Sequence, residues 1–117
     1  MKKILVADDE MSIRLLYSEE LKEEGYEVYQ AANGREALEV VDKIPLDLVI
    51  LDIKMPEMDG IEALRQIKEK RPDLPVVLST AYGEYKQDFA TWASDEYLVK
   101  SSDLEDLKAV VKRYLKE

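Results

Sequence analysis

Leu48-Val49-Ile50-Leu51-Asp52 is an unbroken apolar run that ends on an acid. An apolar run without alternation reads as a central strand covered on both faces, which is the habit of a parallel sheet. Similar runs lie on either side of it. Ile4 to Ala7 leads into Asp8–Asp9, Val76 to Ser79 into Thr80, and Tyr97 to Val99 into Lys100. Strands are expected near 3–7, 27–31, 47–51, 75–79 and 96–99, separated by segments of helical period.

Five helices are expected between and after these strands. Ile13, Leu16, Tyr17 and Leu21 stripe the first, Ala37, Leu38, Val41 and Ile44 the second, and Ile61, Leu64 and Ile67 the third. The fourth falls between Gly83 and Asp95; its period is ambiguous and it is expected to be short. Leu104, Leu107, Val110, Val111 and Tyr114 give the last a clear 3.6-residue repeat. Asn33 and Asp59 are start signals, each with a glutamate three residues on, and Ser102-Asp103-Leu104-Glu105 reads as a capping box. Repeated βα units with right-handed crossovers make a doubly wound (βα)5 sheet of strand order 2-1-3-4-5. Its switch point lies between strands one and three, so Asp8, Asp9 and Asp52 are expected in one crevice at the carboxyl ends of the strands.

Composition limits what such a crevice serves. The 117 residues are 46% hydrophobic, enough for the core of one domain, and no repeat or linker divides them. With 26 acidic and 17 basic residues the net charge is −9, which argues against direct binding to nucleic acid. Cysteine is absent, so thiolate metal sites and disulfides are excluded. No signal-peptide pattern or long apolar stretch is present, and a soluble, cytoplasmic protein is expected. Histidine is absent too, so the chain itself offers no imidazole as phosphoryl carrier or base.

Three carboxylates in one crevice need a counter-charge, and a hard divalent cation with oxygen ligands, Mg²⁺, supplies it. Asp8 and Asp9 taken alone could equally serve the helix beginning near Met11, whose dipole favours acids. Asp52 is more telling: it leaves a central strand into Ile53-Lys54-Met55-Pro56 and then Met58-Asp59-Gly60, a turn-rich stretch. A carboxylate there can attack phosphorus to give an acyl phosphate. Thr80 can donate to a phosphoryl oxygen and Lys100 can neutralise it. Phosphoryl transfer asks mainly for positioning and charge neutralisation.

Ile4 to Glu10, Ala32-Asn33-Gly34, Asp47 to Asp52, Met55-Pro56 with Met58-Asp59-Gly60, Ser79-Thr80-Ala81, and Tyr97 three residues before Lys100 resemble bacterial two-component response-regulator receiver domains. The resemblance runs from Lys2 to Glu117 and implies a flavodoxin-like (βα)5 fold forming a single receiver domain over 1–117, without an output domain. It implies that Asp52 is the phosphoacceptor, charged from a phosphohistidine of a sensor kinase or phosphotransfer protein. Asp8, Asp9 and the Lys54 backbone carbonyl would join Asp52 as Mg²⁺ ligands. Thr80 and Tyr97 would form the switch pair, and Lys100 would sense the phosphate. Thr80-Ala81-Tyr82-Gly83-Glu84, with Lys54 after Asp52, is most similar to stand-alone relay receivers of the sporulation type. In such receivers residues at the positions of Lys54 and Tyr82 go with a long-lived phosphate. The face made by the fourth helix, fifth strand and last helix would carry the signal to a downstream protein. Such a chain is no enzyme beyond catalysing its own phosphorylation and dephosphorylation.

Two departures from the family pattern stand out. Ser101 follows Lys100 where proline is usual, so a trans peptide is expected, because a cis bond to a non-proline residue costs about 2.5–4 kcal/mol. Trp92-Ala93-Ser94-Asp95 replaces the usual small turn before the last strand. Other classes fit less well. A haloacid-type phosphatase would carry a second acid where Lys54 stands, and Asp8-Asp9-Glu10 would repel the phosphate of a flavin. A receiver-fold interaction module that is never phosphorylated is the alternative reading.

Overall fold

Runs of leucine, isoleucine and valine extend side by side because their branched side chains pack on a pleated surface. A computed structural model describes residues 1–52, 60–80, 96–99 and 104–115. Its strands are β1 (Lys3–Ala7), β2 (Glu27–Ala31), β3 (Leu48–Asp52), β4 (Val76–Thr80) and β5 (Glu96–Val99). All neighbouring pairs are parallel, in the order β2-β1-β3-β4-β5. β3 and β4 begin and end one residue later than expected. The ladder explains the shift: Asp52 still pairs with Ser79, and Thr80 with Val99.

The described helices are α1 (Met11–Glu23), α2 (Gly34–Lys43), α3 (Gly60–Lys70) and α4 (Glu105–Tyr114). The helix expected between Gly83 and Asp95 lies outside the described residues, as do the cap at Asp59 and the Lys100–Ser101 peptide. Residues alternate between two cores on opposite faces of the sheet. Leu5, Ala7, Val49, Leu51, Val76 and Leu78 pack with Ala37, Leu38 and Val41 of α2 and Ala63, Leu64 and Ile67 of α3. Ile4, Val6, Leu48, Ile50 and Val77 pack with Tyr17 and Leu21 of α1 and Leu107, Val110 and Val111 of α4. Every residue of β3 is buried, as befits the centre.

Local chemistry sets the helix ends. Asn33 accepts the Glu36 N–H at 2.9 Å, while Glu36 Oε1 accepts the Ala32 N–H at 2.8 Å, so α2 begins where its sequence signals. α1 ends on Gly25 at φ 98°, with Gly25 N–H donating to Lys22 O and Tyr26 N–H to Leu21 O. This glycine-closed motif returns the chain to β2. One expectation needs correction. Leu16 is 40% exposed rather than part of the buried stripe. Ile13, Tyr17 and Leu21 fix the inner side of α1 at i, i+4 spacing, and Leu16 lies about 100° round from Tyr17; Ser18 takes the buried place on the other side. The last helix is described from Glu105; the capping box expected at Ser102 lies outside the described residues.

Candidate functional site

The acids meet because β1 and β3 are neighbours although 40 and more residues separate them in the chain. Ala7 pairs with Leu51, so Asp8 and Asp52 emerge side by side at the carboxyl ends of their strands. Asp8, Asp9 and Asp52 each bring a carboxylate oxygen to a common point, these atoms lying within 4.8 Å of one another. Asp8 is 2% and Asp52 5% exposed, whereas Asp9 faces solvent.

The backbone around Asp8 holds this arrangement. Asp8 N–H donates to Ala31 O at 3.0 Å, carrying the β1–β2 pairing one residue past the strand. Asp8 Oδ1 accepts the Glu10 N–H at 2.9 Å, which fixes the side chain. Asp8 therefore closes the turn before α1 and does not cap it; Glu10 is the cap residue, without a side-chain cap bond. The Arg14 guanidinium donates to Asp8 O at 2.6 Å. Arg14 is a participant that no sequence motif indicates. It holds the Asp8 backbone and brings a positive charge to the crevice rim.

Carboxylates this close, two of them buried, repel unless a cation joins them. Oxygen donors alone, with one face open through Asp9, fit a hard divalent ion that keeps several waters. Thr80 ends β4 one strand beyond Asp52, and Tyr97 lies in β5 opposite Leu78. Lys54, Tyr82 and Lys100 lie outside the described residues.

A parallel α/β sheet with an acid cluster at its switch point defines a class, and the sequence comparison gives it a name. The chain belongs to the response regulator receiver domain family, which matches residues 4–112. It is 41% identical over 116 residues to Sporulation initiation phosphotransferase F of Bacillus subtilis, covering 97% of this chain and 94% of that protein. It is 38% identical over 117 residues to Regulatory protein AtoC of Escherichia coli, of which it covers 25%. Among solved structures, response regulator protein TrrA from Thermotoga maritima in complex with Mg²⁺-BeF superimposes with a TM-score of 0.95 at 50% identity, covering 98% of this chain and all of that one. A chain in the complex of histidine kinase ThkA with TrrA gives 0.92 at 50% identity, covering 99% of this chain and 100% of its own. Among the described residues no helix is long and apolar enough to cross a membrane.

Proposed function

We propose that this receiver domain takes a phosphoryl group onto Asp52 from a phosphohistidine of a partner protein, with Mg²⁺ held by Asp8, Asp9 and Asp52. The observation that carries the reading is the meeting of three carboxylates at the switch point, with Asp52 at the end of the buried central strand. A carboxylate oxygen of Asp52 attacks phosphorus, the P–N bond of the donor breaks, and its electron pair returns to the imidazole. The bound cation supplies neutralisation of the charge gathered there. β3 orients Asp52, and the Glu10 N–H and Arg14 hold Asp8 beside it. The chain acts on its own Asp52 and not on a separate substrate.

The remaining roles belong to the same proposal. Thr80 and Lys100 contact the phosphoryl group, Tyr97 follows Thr80, the Lys54 carbonyl completes the metal shell, and Lys54 with Tyr82 slows hydrolysis. The helix expected between β4 and β5 completes a fifth βα unit and, with β5 and α4, carries the signal onward. A histidine kinase partner is supported by the ThkA–TrrA complex. Met11, Leu15 and Leu16 add a local reason: they are 63%, 46% and 40% exposed on the helix that starts directly after the acids. Apolar residues grouped beside a reactive site suit a protein donor, which must dock to deliver its phosphoryl group.

The decisive experiment is incubation with acetyl phosphate and Mg²⁺, followed by intact-mass measurement. One added phosphoryl group that disappears in Asp52→Asn is expected. An unmodified parent protein would mean that the chain is an interaction module only.

A further inference from the structure

Among the described residues, two buried side-chain hydroxyls make no hydrogen bond, Ser18 Oγ and Ser79 Oγ. They differ in their surroundings. Ser18 lies seven residues into α1, about 10 Å along the axis from its start at 1.5 Å per residue, on the side turned to the sheet. A small residue there lets the helix approach, which accounts for it. Ser79 pairs directly with Asp52 across the β3–β4 ladder. Side chains alternate along a strand, and Ile50 and Val77 both face the α1–α4 core. Two residues on, Asp52 and Ser79 therefore project on that same face as neighbours. Asp8, two residues after Val6, continues the alternation on the adjacent strand. Ser79 is thus a polar side chain, 1% exposed, beside a carboxylate of the acid cluster.

A buried hydroxyl without a partner is costly, and an apolar residue of the same size would remove the cost. Such a group is worth keeping where a second state of the molecule satisfies it. The Asp52 carboxyl is the polar group next to it across the ladder, and its orientation must change when it gains a phosphoryl group. A hydroxyl rotor can follow that change at little cost. We propose that Ser79 is a positioning residue for Asp52, its O–H donating to the Asp52 carboxyl oxygen in the phosphorylated, cation-bound state and lacking a partner in the free state. This rests on the reading of Asp52 as the acceptor.

The test uses Ser79→Ala and Ser79→Cys, with Ser18→Ala as control, read by thermal melting of the free protein and by titration with beryllofluoride at saturating Mg²⁺. Acetyl-phosphate labelling of the parent is run beside them. In Ser79→Ala the melting temperature of the free protein should hold or rise, while beryllofluoride affinity falls about tenfold, or ~1.4 kcal/mol. Ser79→Cys, alike in branching but a weak donor, should lose affinity likewise. Ser79→Thr, which restores the hydroxyl, should recover it. Ser18→Ala should leave affinity at the parent value. Parent-like affinity in Ser79→Ala, or equal losses in Ser18→Ala and Ser79→Ala, would overturn the assignment while a labelled parent left Asp52 as acceptor. A parent that neither labels nor binds beryllofluoride would instead remove the functional reading beneath it.

Discussion

As the proposed acceptor, Asp52 carries opposing demands: it must be buried enough to be held, yet charged enough to attack phosphorus. Burial at 5% exposure beside Asp8 makes its charge a burden on the free protein. Asp52→Asn keeps the shape and removes one repelling charge. It should abolish labelling by acetyl phosphate and raise the stability of the Mg²⁺-free protein by about 1–2 kcal/mol, read by denaturant melts without metal. A variant no more stable than the parent would show that the three carboxylates are already compensated by other groups. The signal for Asp52 was plain in the sequence, because a lone acid ends an otherwise apolar run. Arg14 and Ser79 were not legible. An arginine in a first helical turn and a serine at a strand end are ordinary until the fold sets them against Asp8 and Asp52.

Among the elements, α1 has two separate tasks. Its inner side, Ile13, Tyr17, Ser18 and Leu21, packs on the sheet, and its outer side leaves Met11, Leu15 and Leu16 exposed. Replacing Leu15 and Leu16 together by glutamate should leave folding and acetyl-phosphate labelling intact, since neither residue is buried. Transfer from a phosphorylated histidine kinase should fall at least tenfold, measured as the initial rate of label moving between the two proteins. Equal loss with acetyl phosphate would place the defect in the acid crevice instead. α1 is also tied to α4, where Lys108 Nζ lies 3.2 Å from Glu20 and Lys112 Nζ 3.5 Å from Glu24. The bond to Glu20 raises the Lys108 pKa above the ordinary lysine value. A raised pKa means that this contribution is complete below the unfolded-state pKa and is lost as pH rises through the folded one. Lys108→Gln should therefore melt slightly below the parent at neutral pH, and the gap should close in strongly alkaline buffer. A gap that persists unchanged in strongly alkaline buffer would show that the charge of Lys108 does not carry it.

At the scale of the whole molecule, the metal links the site to the fold. A cation that binds only the assembled crevice stabilises the native state, by about 2.7 kcal/mol at 100 times its dissociation constant. Mg²⁺ should raise the melting temperature of the parent, and Asp9→Asn should lose most of the rise without disturbing the core, because Asp9 faces solvent. An unchanged melting temperature with Mg²⁺ in the parent would remove the metal site. The α/β class, the parallel sheet and the acids at its crevice could all be read from the chain, because the alternation of apolar runs and helical stripes is written in local order. So was the start of α2, where Asn33 accepts the Glu36 N–H and Glu36 reaches back to the Ala32 N–H. Both bonds depend on neighbours along the chain, which a sequence displays directly. Which leucine of α1 is buried, which arginine steadies Asp8 and which hydroxyl lies beside Asp52 depend on the angle at which a helix meets the sheet and on the register of β3 against β4. Those are set by packing among residues distant in sequence, and the tertiary structure alone decides them.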